Sequence, residues 1–533
     1  MAASQEPVKT GYYGYPEAKE GPNTTYTNLP ASNPVLRGIP LAVAGSAVAH
    51  LGLVSGFLWG NAGFNSLRKL NLDAYEPRYD PTVIPISNGS SSTIAVDPPY
   101  KASLKHANRH YSIADYHSAY ESGKLTPTAV AEAILALVPK HKEAFLDIVK
   151  DQVLAAAEES TQRYKDGKAM GMLDGVPVGV KDTTNNNPIK GTPLNPHNPH
   201  YYTGGSSGAS AYTVAAGLFP VTLGADGGGS IRIPSAYCGL YGLKPSHGRI
   251  SCSPTVGLAQ SCGVIGPMAS NMADLEYAYR IMAIPDPHDT LSSAFSSPIP
   301  CTIPQTEKII GIYKPYFDFA EPAVVDVCNA ALSHFESSGY NIVDITLPYL
   351  PEGQTSHAMT ILSEISSEIP DLSGLTPANK ILISVGKQTP ALDFLLAQRM
   401  RNLLMQHLAF LFKQHPGLLI VTPTTPNAGW HISGGVADLK HGVSDANMSV
   451  KTMTYVWLAN FLGCPSITIP VGRVAPKEGD GKVPIGLMAM GEWGGEEELI
   501  EWGRVGEEWA WRVGEEKVAK PGNWVDVLEL AKG

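Results

Sequence analysis

Cysteine is scarce: six residues in 533, at 238, 252, 262, 301, 328 and 464, with no CxxC pair. That excludes a disulfide scaffold, a zinc ribbon and a thioredoxin-type site, and a reducing, cytoplasmic setting is the simplest expectation. Charge is sparse too. Asp, Glu, Lys and Arg make up 17% of the chain, against about 25% in an average soluble domain. The balance is −10, so the basic excess of a nucleic-acid binder is absent and no nucleic-acid partner is expected. No Walker lysine follows either glycine cluster described below, which argues against a phosphate cradle. His197-x-x-His200 holds Pro199 inside it, which disfavours a helical metal pair. What is abundant is Gly and Pro, 53 and 43 residues. Low charge with much Gly is the composition of a large, turn-rich enzyme core.

The amino-terminal hundred residues read as an extension, 1–106, ahead of a domain at 107–533. The first 37 residues are polar and irregular. Gly38 to Trp59 then carry no charge, with Arg37 on one side and Arg68-Lys69 on the other. The stretch at 38–59 is long enough to span a bilayer, yet it contains Pro40, His50, two Ser and four Gly. A buried or surface-packed helix is the expectation, with a spanning helix and peripheral membrane contact as its alternatives. Residues 77–106 read as a loop. Asn88-Gly-Ser matches a glycosylation sequon but follows no secretory signal.

From residue 112 the pattern is regular. Ser112 is a cap for a helix carrying Ile113, Tyr116 and Tyr120. Thr126-Pro127 is an N-cap followed by an N1 proline, and Val130, Ile134 and Val138 form one stripe behind it. Another helix is expected from Val149 to Tyr164. Gly175 to Lys181 reads as a short apolar strand ending on a lysine. Helix is expected again at Gly208–Ala216, with Gly217 as its C-cap, then a buried strand at Leu218–Leu223. Beyond 300, strands at Lys308–Tyr313, Asn341–Thr346, Leu418–Thr422, Ser466–Pro470 and Pro484–Met490 alternate with helices. Alternation of this kind implies an α/β domain.

Two clusters carry the chemistry: Gly204-Gly-Ser-Ser-Gly-Ala-Ser210 and Gly224-Ala-Asp-Gly-Gly-Gly-Ser-Ile-Arg232. The first leads into a helix and the second ends a strand. Backbone N–H groups converging on such a glycine turn can hold a developing oxyanion, and Ser230 at its end can be a nucleophile. A serine needs a base, and Lys181 at the end of an apolar strand is the candidate. A solvated surface lysine is the alternative. Gly204-x-Ser206-x-Gly208 formally matches the nucleophile elbow of α/β-hydrolases, but Asn195 to Thr203 before it cannot be the hydrophobic strand that the elbow requires.

These segments closely resemble the amidase signature family. The matching stretches are Leu173 to Asp182, Gly204 to Gly208, Gly224 to Ala236, Cys238-Gly-Leu-Tyr-Gly-Leu-Lys-Pro245, Ser261 to Asp274, and Phe461 to Gly472. Similarity covers about 107–512, and the extension resembles that of fungal members. The resemblance implies a mixed, twisted central β-sheet covered by helices on both faces. It also implies a Ser-Ser-Lys triad: Ser230 as nucleophile, Ser206 as bridging serine and Lys181 as base. Gly227, Gly228, Gly229 and Ser230 would form the oxyanion hole, and Asp226 and Arg232 would brace the loop as a structural ion pair. The reaction that the resemblance implies is hydrolysis of a small-molecule amide through an acyl-enzyme, with no metal or organic cofactor expected.

One departure stands out. Lys181 and Ser230 are 49 residues apart, roughly half the interval in other members. The resemblance implies that a block of about fifty residues is absent, with its seam near 182–184. Loss of a central strand would leave its neighbours unpaired and open an apolar groove. Two further readings therefore stand beside the amidase. One is a catalytically impaired isoform or pseudoenzyme. The other is a glutaminase of the kind that serves glutamyl-tRNA amidotransferases, working only with partner subunits.

Overall fold

The computed structural model describes residues 11–28, 33–86, 98–101, 109–181, 190–255, 257–298, 306–477, 480–511 and 520–533. The seam at 182–184, Asn88 of the sequon and Cys301 lie outside them. In chain order the helices used below begin with α1 (Gly38–His50) and α2 (Gly52–Asn61) in the extension. Then come α3 (Ile113–Glu121), α4 (Pro127–Leu137), α5 (Lys150–Lys165), α6 (Gly208–Ala215), α7 (Arg232–Tyr237) and α8 (Met272–Met282). They continue with α9 (Pro322–Ser337), α10 (Leu350–Glu368), α11 (Pro377–Gly386), α12 (Ala391–Gln414), α13 (Trp457–Phe461) and α14 (Glu496–Ala510).

The caps explain the first of these. Ser112 donates its N–H to Asp115 Oδ2 at 2.7 Å in a capping box that opens α3. Thr126 Oγ1 accepts the Ala129 N–H at 3.1 Å, and Pro127 takes the first position of α4, where no N–H is needed.

The nine-stranded sheet is mixed. Its strands are β1 (Val178–Val180), β2 (Val221–Asp226), β3 (Tyr241–Lys244), β4 (Val264–Ala269), β5 (Ile309–Ile312), β6 (Asn341–Asp344), β7 (Leu418–Pro423), β8 (Ser466–Val474) and β9 (Val483–Met490). Their order across the sheet is β1-β2-β4-β3-β8-β9-β7-β5-β6. β1 runs parallel to β2, and β7, β5 and β6 run parallel to one another, while the pairs between β2 and β7 are antiparallel. Side chains alternate across β8. Ile467 and Ile469 meet α14, while Thr468 between them lies with Gly486 on the side that Ala236 of α7 covers. The α/β sheet flanked by helices is the expected fold class.

Three elements differ from the sequence reading. β2 starts at Val221, not Leu218, and continues through Gly224-Ala-Asp226, small residues with little strand signal of their own. The uncharged stretch at 38–59 is a bent pair, not one helix. The chain turns by 105° where Leu51 is extended between α1 and α2. Among the described residues no single helix is long and apolar enough to cross a membrane. The pair is packed on the surface, as one of the expected readings had it: Leu41, Val48 and Trp59 are buried, while Leu53 is 92% exposed and Phe57 73%. α1 instead seats Gly45 against Pro377 of α11. Third, α10 and α11 are helices to which the sequence reading gave no bounds, although Thr376-Pro377 opens α11 with the same cap and proline as Thr126-Pro127 opens α4.

Cys238, Cys262, Cys328 and Cys464 are buried and Cys252 is half-buried, all as free thiols. Burial pushes the Cys262 thiol up to about 11, and Cys238, Cys328 and Cys464 higher still.

At one border of the sheet, β1 pairs with β2 alone among the described residues. Val180 is 78% exposed on this rim. Beside it opens a groove of about 990 Å³, walled by Val130 and Ile134 of α4, Val153 of α5, Val149, and Val178 and Val180 of β1.

Candidate active site

β1 delivers Lys181. The Lys181 N–H donates to Leu223 O at 3.0 Å, so the ladder with β2 runs one residue past the strand and sets the side chain at the strands' end. Lys181 Nζ then donates to Ser206 Oγ at 2.6 Å and to Ala225 O at 3.1 Å. Ser206 follows a cis peptide bond from Gly205. Gly204 before it has a φ of +82° and passes so close to Pro234 and Tyr237 that a Cβ would collide with them. Ser207 ties this segment to the second cluster: its N–H donates to Ser230 O at 3.1 Å, and its Oγ donates to Ala225 O at 3.2 Å. Lys181 and Ser206 therefore meet at the ends of β1 and β2, next to the backbone of Ser230. Lys181 and Ser206 are in direct hydrogen bond, whereas Ser230 is joined to Ser207 through its backbone. No hydrogen bond links Ser230 Oγ to Ser206 among the described residues.

Below the turn Asp226 and Arg232 are fully buried. Arg232 Nε donates to Asp226 Oδ2 at 3.0 Å, and Nη2 to Oδ1 at 3.0 Å. Burial alone would raise the Asp226 pKa. The Arg232 charge and hydrogen bonds outweigh it, helped by Lys244, and hold the carboxyl well below the usual carboxylate range. Asn460 of α13 completes the brace: its Oδ1 accepts Arg232 Nη2 at 2.6 Å, and its Nδ2 donates to Asp226 O at 2.8 Å. The expected structural ion pair is present, and Asn460 joins it from far along the chain.

The four expected oxyanion donors do not all face one way. Gly229 donates its N–H to Asp226 Oδ1 at 2.6 Å. That group is committed to the brace, which corrects the sequence expectation for Gly229. Among the described residues no protein acceptor takes the N–H of Gly227, Gly228 or Ser230, so these three remain available. Gly229 itself has a φ of +103° and abuts Val456 and Ile233, leaving no space for a side chain.

Two residues near the turn were not singled out from sequence. Lys244 is fully buried and donates to Pro245 O at 2.7 Å; burial, reinforced by the Arg232 charge, lowers it to about 7. His357 of α10 touches Gly227 O with Nε2 at 2.8 Å. His197 meets Cys238 O and takes part in no metal cluster; none is found among the described residues.

The family model "Amidase" matches residues 183–500. A fatty acid amide hydrolase of Medicago truncatula is 31% identical over 455 residues, 72% of this chain and 74% of that one. A glutamyl-tRNA(Gln) amidotransferase component from Chloroflexus aggregans is 28% identical over 470 residues, 72% of this chain and 93% of that one. Among solved structures, a bacterial aryl acylamidase of the amidase signature family superposes with a TM-score of 0.62 at 20% identity, covering 80% of this chain and 99% of that one. The chain belongs to the amidase signature family. The relatives named here are from plants and bacteria, and they give no support to the fungal likeness expected from sequence.

Proposed function

We propose that this chain hydrolyses a carboxylic amide through a Ser230 acyl-enzyme, with Ser206 and Lys181 as the proton relay. The carrying observation is the 2.6 Å contact of Lys181 Nζ with Ser206 Oγ beside the Ser230 turn. An ammonium donates across that contact, and a free amine accepts across it. With the amine free, Ser230 Oγ attacks the carbonyl carbon, its proton passes to Ser206, and the Ser206 proton passes to Lys181. The N–H groups of Gly227, Gly228 and Ser230 receive the oxyanion. The C–N bond breaks as the relay returns a proton to the leaving nitrogen. Water then attacks the ester, losing its proton to the relay; the bond from the acyl carbon to Ser230 Oγ breaks, the relay returns the proton to Ser230 Oγ, and the acid departs. The fatty acid amide hydrolases among the relatives make amides of apolar acids the first class to assay.

Folded protein treated with a fluorophosphonate is expected to carry the label on Ser230, read by mass spectrometry of the digest. Absence of label from folded protein counts against this mechanism.

A second reading concerns the seam. We propose that this chain is a shortened form whose missing block forms a strand beside β1 and a helix over the groove. Three observations support it. The Medicago alignment runs over 455 residues, but 72% of 533 is about 384, so roughly seventy aligned positions face gaps in this chain. The family match begins at residue 183, just beyond Lys181. The rim of β1 and the apolar groove lie where such a block would sit. Sequencing the transcript across the Asp182 codon is expected to reveal a longer reading frame with about fifty further codons. If every transcript joins the two codons directly, the reading is wrong.

A further inference from the structure

The turn after β2 holds three glycines in a row, and nothing in their own side chains fixes which way each peptide faces. The Gly228–Gly229 peptide is fixed from below, because Gly229 N–H is held by Asp226. The Gly227–Gly228 peptide is not reached by that carboxylate. Glycine tolerates both signs of φ, so this plane can flip at little steric cost. A flip would put a carbonyl oxygen where a developing oxyanion needs a donor.

α10 supplies a pin. Its residues at 353, 357 and 361 fall one turn apart on a single face. Gly353 lies against Trp457, so closely that a Cβ would meet the indole ring. His357 is 2% exposed, with its ring 6.5 Å from that of Trp457 and 6.1 Å from that of Phe461. Ile361 abuts Gly227, and the edge of the His357 ring abuts Gly228. Across the contact at 2.8 Å the acceptor is a carbonyl oxygen, so Nε2 carries the proton and donates to Gly227 O.

A trans peptide is planar, with its C=O and N–H pointing in opposite directions. Gly227 O and Gly228 N–H belong to one such plane. Holding the oxygen against α10 therefore turns the Gly228 N–H away from α10, to the open side of the turn. From this juxtaposition we infer that His357 is a positioning residue for the oxyanion hole, locking the Gly227–Gly228 peptide so that the Gly228 N–H faces the reacting carbonyl. The inference rests on the acyl-enzyme reading above. His357 touches no substrate and takes no proton in the reaction.

Two variants separate this role from packing. His357→Phe keeps a ring between Trp457 and Phe461 but has no donor. His357→Gln keeps a donor at similar reach but loses the ring. With an acyl p-nitroanilide that the wild type hydrolyses, His357→Phe is expected to lose roughly a hundredfold in kcat, the scale of one oxyanion donor, with KM within about threefold. His357→Gln is expected to stay within about tenfold of the wild type. A residue that only packs predicts the reverse order. The inference is overturned if His357→Phe is at least as active as His357→Gln, or if its loss lies in KM alone. Should His357→Phe fail to fold, His357→Asn, whose amide is too short to reach Gly227 O, takes its place under the same criterion. A wild type that hydrolyses no amide and takes no label at Ser230 defeats the acyl-enzyme reading instead, and that result is distinct from an active wild type with an indifferent His357.

Discussion

Lys181→Ala is expected to leave about one thousandth or less of the amide hydrolysis rate, at the strong end of what a positioned base contributes. The reason is geometric. Lys181 Nζ reaches Ser206 Oγ at 2.6 Å and is the lysine that the fold brings to this serine. Without it the Ser206 proton has no amine to go to, and Ser206 cannot accept one from Ser230. The parent rate should rise with pH as the ammonium loses its proton, because only the free amine can accept. The residual rate of the variant should be flat across the same range. Ser206→Ala should cost a similar factor. The double variant should be little worse than either single one, since the two groups act as one relay. Initial rates over a pH series for the parent and three variants check all of this. An unchanged rate in Lys181→Ala would show that some other group is the base.

The second large effect is on stability. Arg232→Met is expected to destabilise the fold by about 3–5 kcal/mol, because it leaves the Asp226 carboxylate buried without its cation. That is a large share of the roughly 5–15 kcal/mol by which a domain is usually stable. Asp226 also carries the Gly229 and Ile231 N–H groups, at 2.6 and 3.0 Å, so the turn should loosen as the pair is lost. The sign of the pH dependence follows from the depressed Asp226 pKa. The unfolded state binds the proton more readily. The contribution is therefore full above the unfolded carboxylate value of about 3.9 and is lost as pH falls through the folded value. Asp226→Asn should be destabilised at neutral pH and show a shallower loss on acidification. Thermal unfolding of the parent and both variants at pH 7 and at about pH 2.5, inside the window where the contribution is being lost, checks the prediction. A neutral-pH Tm within a degree of the parent would show that the pair contributes little.

Much of the site was legible because its parts are local. A lysine closing an apolar strand and two glycine-serine clusters mark three points, and the pairing of β1 with β2 together with hydrogen bonds through Leu223, Ala225 and Ser207 brings them together. Asp226 and Arg232 sit six residues apart across one turn, and their pairing needs no long-range information. What the sequence could not show is direction. Whether Gly229 points up at a substrate or down at a carboxylate depends on where Asp226 places its oxygens. Nor could it bring in Asn460 and His357. These arrive from 234 and 130 residues away, on helices whose packing is decided by Trp457 and Gly353. The bend at Leu51 was hidden for another reason. An uncharged stretch of small apolar residues has almost no helical asymmetry, so its pattern says that a helix is allowed but not where it stops.

The deep placement of the thiols gives the chain a built-in gauge of its own integrity. Thiolate is the form that alkylates, and Cys238, Cys262, Cys328 and Cys464 are both shielded and held protonated. Iodoacetamide therefore gains four sites per molecule when the native packing is lost, beyond whatever Cys252 and Cys301 take up. In an inactivated sample, that increment distinguishes a chain that has come apart from one whose scaffold stands with a blocked or misaligned nucleophile.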